Sequence, residues 1–552
     1  MNRKILLFMR HAGYVRNFDA TLIALAERGH AIHIAVDHTA KANLPQLSDQ
    51  LEALAAAHDG ITWGVTPDRG SGGWTRVAAE LCSALDYWRY LRPEFAQAPA
   101  LRARAEERAA NWAQRLTMLR LTRTGRGLDV ITSVARRVLE GIPRSREVRR
   151  YIEAQAPDLV VITPLVEIGS PQLEYLRCAK AAGLPTCLMV ASWDHLTTKG
   201  LIHELPDTVT VWNSTQRREA IELHGVPAER IVVTGAVAYD HWFDWQPTRS
   251  REQFCASVGL DAERPFVLYL GSSGFIAPAE GAFIADWIRG LRAVQGAGLE
   301  DVQILVRPHP QNATAREHGV HELPGVAVYP LEGANPTSLE LRNDYFDSLH
   351  HCAAAIGINS SSMIEAAIVG RPVHTLLAPQ YWKTQRGSLH FRYLLPENGG
   401  MLKVAATIEQ QAGQIARSLA GGAEAAEENM RLIEHFIRPH GIDVLATPRL
   451  VGTIEGLAVA APAPADSAGN PLGPVLAWVF RIASALAPGP ATRQLAKAAT
   501  RRGRRLKPVA ARARVAINVM RGRGEGARIA ERAVKQAERV KKGVPAQEAE
   551  HV

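Results

Sequence analysis

Lys4-Ile5-Leu6-Leu7-Phe8-Met9, closed by Arg10-His11, is the stretch whose reading decides the fold. An uninterrupted apolar run this short is the mark of a strand buried on both faces, as in a parallel sheet. Working outward, Asp19–Arg28 has helical spacing and closes at Gly29, a C-cap position that tolerates the left-handed conformation. Ala31–Val36 reads as the next strand, Leu47–His58 as a helix and Ile61–Val65 as a third strand. Strands alternating with helices predict an α/β fold with a parallel sheet and crossover helices.

The alternation is interrupted and then repeated. Residues 76–154 are rich in Arg, Ala, Leu and Glu at helical spacing and predict two or three helices inserted into the first domain. Strands resume at Leu159–Ile162, Thr186–Val190 and Thr208–Trp212, with a helix from Pro171 between the first two. Gln246-Pro247-Thr248-Arg249-Ser250 reads as a linker. A second series follows, with strands at Phe266–Leu270, Gln303–Val306, Val326–Tyr329, Ala354–Ile358 and Arg371–Leu377. Its helices are expected at Ala282–Val294, Met363–Val369, Val404–Leu419 and Ala425–Phe436. The expected organisation is therefore two facing Rossmann-like domains, 1–245 and 251–447. An Ala/Pro-rich linker and basic tail are expected over 448–552. In such domains ligands sit beyond the carboxyl ends of the strands.

Composition narrows the class. The 552 residues are 47% hydrophobic and 22% charged, which fits globular domains, and no apolar run is long enough to span a bilayer. A first buried strand fits residues 5–9 better than a signal peptide. Cys82, Cys178, Cys187, Cys255 and Cys352 form no C-x-x-C pair and argue for a reducing compartment, with no disulfide framework. The net charge of +9 is concentrated: residues 501–552 alone carry +10, so the body is near neutral.

In the second half, three strand-end loops have the chemistry of an anion site. Asn359-Ser360-Ser361-Ser362 turns the chain from a strand into a helix, so serine hydroxyls and first-turn amides point outward together, aided by the helix dipole. Glu365, in the first turn, is placed to accept from a ribose or sugar hydroxyl. Arg307-Pro308-His309-Pro310 delivers a guanidinium fork and an imidazole on a proline-stiffened loop. Gly271-Ser272-Ser273-Gly274 is small and rich in amides. Each has a plainer reading, a serine N-cap or a surface turn, but three together on one sheet edge point to a diphosphate pocket.

These residues carry a resemblance. Arg307-Pro308-His309-Pro310, Ser360-Ser361-Ser362 with Glu365, and Gly370-Arg371-Pro372 resemble the donor half of GT-B glycosyltransferases. Within these, the chain looks most like the capsule-polysaccharide and CDP-glycerol glycerophosphotransferase-like branch, whose ancestry is shared with non-hydrolysing UDP-GlcNAc 2-epimerases. The resemblance implies that His309 and the serine run contact a donor diphosphate, and that Glu365 contacts its ribose or sugar. Asn359 stands where an Asp is often found in that branch.

In the first half, His11 follows the first strand and is a candidate general base for an acceptor hydroxyl, or else a loop histidine bonded to a carbonyl. Ser192-Trp193-Asp194-His195 leads into Lys199; Asp194 and His195 are rival bases, with a capping role for Asp194 as the alternative. Glu167 is a third. No G-x-x-x-x-G-K-[ST], no G-x-G-x-x-G after the first strand and no Asp-x-Asp pair occurs, which counts against P-loop, nicotinamide and metal-diphosphate chemistry. The expectation is metal-independent transfer of a glycosyl or glycerol-phosphate-like group from a nucleotide-sugar or CDP-alditol donor. The acceptor would be a polysaccharide or a lipid-linked molecule, and no cofactor would be needed. A UDP-GlcNAc 2-epimerase is one alternative. A nucleic-acid-binding protein using the tail is another, disfavoured because the tail lacks interleaved aromatics. Trp478, Phe480 and Ile482, followed by the basic stretch, suggest that residues 470–552 attach the protein to an anionic membrane on its cytoplasmic face.

Overall fold

The computed structural model describes residues 2–39, 44–69, 73–336, 338–421, 424–457 and 473–485. Met1–Trp478 forms one compact unit that holds two parallel sheets. The first comprises β1 (Lys4–Met9), β2 (Ala31–Val36), β3 (Ile61–Val65), β4 (Leu159–Thr163), β5 (Thr186–Met189), β6 (Thr208–Val211) and β7 (Ile231–Val233), in the order β3-β2-β1-β4-β5-β6-β7. The second comprises β8 (Phe266–Leu270), β9 (Gln303–Arg307), β10 (Val326–Val328), β11 (Ala354–Gly357), β12 (Val373–Leu376) and β13 (Leu402–Ala405), in the order β10-β9-β8-β11-β12-β13.

The apolar runs have a direct cause. Along β1, Ile5, Leu7 and Met9 face one core, with Leu22 and Leu25 of the helix Asp19–Glu27. Leu6 and Phe8 face the other, with Tyr175 and Leu176. In β8, Phe266, Leu268 and Leu270 likewise take one side and Val267 and Tyr269 the opposite one. Period-two alternation with apolar residues at both phases is what helices on both faces demand. The expected α/β architecture of two Rossmann-like domains is therefore what the chain adopts.

Both sheets reverse their winding, the first between β1 and β4 and the second between β8 and β11. Loops leaving neighbouring strands at such a point run to opposite faces and open a crevice. His11 follows β1, the Gly271 loop follows β8 and the serine run follows β11, so the chemistry-bearing loops emerge at these openings.

Several expectations are corrected. The insertion holds five helices, Gly73–Arg89, Pro99–Arg108, Asn111–Leu116, Gly125–Glu140 and Arg146–Gln155, instead of two or three. Extended backbone at Ala109 and Ala110 splits the chain there, and Thr124 and Ser145 cap new starts. Residues 404 and 405, read as the start of a helix, belong to β13; Thr407 then caps the helix Ile408–Leu419. Residues 448–457 are no linker. They complete the helix Thr447–Leu457, whose Leu450, Val451 and Ile454 pack into the first domain's core beside Leu22 and Leu25. Asp240 fastens its start, accepting from the N–H groups of Ala446 (3.0 Å) and Thr447 (2.7 Å). The chain thus comes back to the first sheet's core after completing the second sheet.

Trp478 lies in the helix Gly473–Ala485 with half of its surface exposed, edge-on to Trp74 at 5.2 Å. Most of the tail, including its basic stretch, lies outside the described residues. Among the described residues no helix is long and apolar enough to cross a membrane.

Candidate active site

A cavity of about 500 Å³ is lined from the first domain by His11, Arg16, Trp193, Asp194, His195 and Lys199. From the second it is lined by Gly271, Ser273, Arg307, His309, Asn359, Ser360, Ser361, Ser362 and Glu365. Of the candidate site residues named from the sequence, Ser272 and the third candidate base Glu167 do not line this cavity. Ser272 is fully buried; its N–H donates to Glu280 at 2.7 Å and its hydroxyl faces no partner. Its role is to hold the loop, which Gly271, Ser273 and Ile276 present to the cavity.

The loop after β8 packs against the loop after β9 with no room to spare. A Cβ at Gly271 would lie 2.6 Å from the His309 amide nitrogen, so only glycine fits. Glu280 ties the same loop to Tyr269 at 3.1 Å, and burial raises its carboxyl to about 8. This buried anchor carries no motif in the sequence.

His309 is set up as a neutral donor. Its Nδ1 accepts the N–H of Gln311 at 3.1 Å, which leaves the proton on Nε2. Burial, reinforced by Arg16, lowers its pKa. Arg307 is different from expectation. Its guanidinium is buried, donates to Asp344 Oδ2 at 3.0 Å and lies between Tyr329 and Tyr345. Its charge is met by Asp344, so its first duty is to brace the loop and not to grip a phosphate. The helix that supplies Asp344, Leu339–His351, has no counterpart in the sequence expectation.

At the serine run both readings hold. Ser360 caps the helix Ser361–Ile368, accepting from the Ser362 N–H at 3.3 Å. Ser361 and Ser362 nevertheless line the cavity, and a helix start leaves further amides without intrahelical acceptors. Ser361 Oγ accepts the indole N–H of Trp193 at 3.0 Å, a bond between the two domains. Glu365 accepts the Tyr345 hydroxyl at 2.5 Å, and burial raises its pKa. Asn359 donates to Thr384 O (2.7 Å) and to His390 Nε2 (3.1 Å). His390 is thereby left protonated on Nδ1, which is buried without a partner, while its ring lines the cavity; no sequence pattern marks it.

On the first-domain wall, burial lowers His11 to about 4, with Arg10, Arg16 and Lys199 acting in the same direction against Glu167. Its Nδ1 is buried and unpartnered, as is that of His195. Burial also lowers His195 to about 4 despite Asp194. Both imidazoles are neutral at pH 7, and Tyr14 stacks on His11 at 4.3 Å with its edge toward His195. Burial alone would raise Asp194, but His195, Lys199, His390 and the Ser192 hydroxyl outweigh it and hold the carboxyl low. Its two oxygens accept from Ser192 (2.6 Å) and Thr198 (2.7 Å). Asp194 is therefore an orienting carboxylate and a poor base. Glu167 is engaged by Arg10 at 2.7 Å. Arg16 and Lys199 line the cavity with no ion-pair partner among the described residues. No group of three or more His, Cys, Asp or Glu among the described residues is placed to hold a metal ion.

No protein-family model matches the sequence, and neither does any curated protein. Among solved structures, the chain is similar to a UDP-GlcNAc 2-epimerase from Methanocaldococcus jannaschii, at 10% identity and a TM-score of 0.46 over 82% of this chain and 99% of that one. It is also similar to a glycosyltransferase from Rickettsia africae, at 11% identity and a TM-score of 0.46 over 83% and 98%. A third is a UDP-GlcNAc 2-epimerase from Neisseria meningitidis bound to UDP-GlcNAc, at 11% identity and a TM-score of 0.46 over 82% and 100%. What those enzymes act on is a property of those enzymes.

Proposed function

We propose that the protein is a GT-B-type transferase. It would move a glycosyl or glycerol-phosphate-like group from a nucleotide-activated donor to a polysaccharide or lipid-linked acceptor, without a metal. The observation that carries this reading is the pairing of unlike walls around one cavity. Neutral histidines line it from the first domain, and hydrogen-bond donors at strand and helix ends line it from the second.

For a glycosyl donor the steps balance simply. The His11 imidazole, through Nε2 with the enclosed Nδ1 carrying the ring proton, takes the proton of the acceptor hydroxyl, and the freed oxygen attacks the donor's anomeric carbon. The bond from that carbon to the diphosphate oxygen breaks, and its electron pair leaves with the nucleoside diphosphate. His309 Nε2–H, the serine hydroxyls and the helix amides meet the charge that develops on the leaving group. Arg16 and Lys199 add unpaired positive charge, so no cation has to be recruited.

Thermal-shift titration against UDP-, CDP-, GDP- and CMP-linked donors tests the reading. Binding to the native state raises apparent stability with the ratio of ligand to Kd. No shift with any of them would overturn the proposal. Conversion of UDP-GlcNAc in the absence of any acceptor would instead make the protein an epimerase.

A further inference from the structure

The inserted helices carry a second surface that the chemistry of the cleft does not use. In the helix Gly125–Glu140, Leu128, Ala135, Val138 and Leu139 are buried, which satisfies the face turned to the fold. Val130 and Val134 are nevertheless 60% and 50% exposed, and just upstream Met118 and Leu119 are 71% and 55% exposed. Arg126, Val130, Val134 and Arg137 recur at i, i+4, i+8 and i+11 and so share one stripe. This is an apolar strip edged by guanidinium groups.

Charge selects what covers it. Residues 101–150 contain thirteen arginines, no lysine and five acidic residues. Arg115, Arg120, Arg126 and Arg137 are exposed and have no ion-pair partner among the described residues, while the nearby Asp129 is taken by Arg92 at 2.7 Å. The sequence of residues 501–552 adds a further net charge of +10, of the same sign as this face. An apolar strip needs a phase without water, and unpaired arginines need anions. A nucleic acid supplies only the second; an anionic lipid surface supplies both.

We infer that the stripe of Arg126, Val130, Val134 and Arg137, together with the exposed Met118 and Leu119 just upstream of its helix, docks on an anionic lipid surface. The apolar side chains enter the headgroup boundary and the arginines pair with lipid phosphates. The surface is distinct from the cleft, so its test needs no turnover.

The test is co-sedimentation of the full chain with phosphatidylglycerol-containing and pure phosphatidylcholine vesicles, at low and high salt. Wild type is expected to pellet with the anionic vesicles only, and less at high salt. Arg126→Gln/Arg137→Gln is expected to weaken binding about twenty-five-fold, at roughly fivefold per arginine near an anionic surface. Val130→Glu/Val134→Glu is expected to weaken it at least tenfold. All five native cysteines are buried, so Leu119→Cys takes a polarity-sensitive label selectively, and its emission should shift to the blue on anionic vesicles. That readout stands even if the double variants fold poorly. Wild-type binding by both double variants, or a label that stays in water, would overturn the inference. So would variants that lose single-stranded DNA binding while vesicle binding is unchanged.

Discussion

Trp193 donates its indole N–H to Ser361 Oγ at 3.0 Å, so a residue beyond the end of a first-domain strand holds the first hydroxyl of the second domain's serine helix. Trp193 is itself buried and edge-on to His390 at 4.8 Å. One indole therefore joins the wall that carries the candidate base to the wall that carries the candidate anion donors. Trp193→Phe and Ser361→Ala, combined in a double-mutant cycle, are expected to show a coupling of about 0.5–1.5 kcal/mol in chemical denaturation. Additive effects would show that the bond does not hold the domains together.

His309→Ala is expected to cost about 2.7–4 kcal/mol of barrier, a loss on the order of a hundredfold to a thousandfold in turnover. Its Tm should stay within a few degrees of wild type, because among the described residues the side chain's one hydrogen bond is that from the Gln311 amide. Near-normal turnover would remove His309 from the donor site.

The buried histidines set the acid limb. His11, His195 and His390 are lowered to about 4, each chiefly by burial, so the unfolded chain binds protons more readily than the folded one. Stability is then fully present above pH 6.5 and falls as the pH drops from there toward 4. If His11 is the base, turnover corrected for unfolded protein should persist to near pH 4–5. An acid limb centred near 6.5 would point to an imidazole outside this burial.

Activity is expected to survive EDTA, since Arg16, Lys199 and the helix amides already face the cavity. Loss on chelation with recovery in Mg²⁺ or Mn²⁺ would show that a metal carries the leaving-group charge.

Gly271→Ala is expected to destabilise by about 1–3 kcal/mol, because the new methyl meets the backbone of His309 at 2.6 Å. Donor binding should weaken more than stability, as the loop after β9 is pushed away. Unchanged denaturation and unchanged donor shifts would show that the two loops yield freely.

The sequence by itself determined the elements whose reason is local. The buried strands show as apolar runs because both faces of each strand meet a core, and Gly271, His309 and the serine run show because they end such strands. The crossing of the strands to neighbouring positions then placed those loops on a shared edge. What only the tertiary structure decided was which polar group has already found a partner. Arg307 is answered by Asp344 from a helix far along the chain, Ser272 is enclosed beneath Glu280, and Asp194 is bound by Ser192 and Thr198. His390 acquires its role through Asn359, and Trp193 through Ser361. The helix Thr447–Leu457 returns to the first domain because its apolar face completes that core. Hydrophobic periodicity is a property of neighbours in sequence, whereas hydrogen bonding and charge pairing at a site depend on angstrom-scale approach between distant segments, which composition and spacing do not encode.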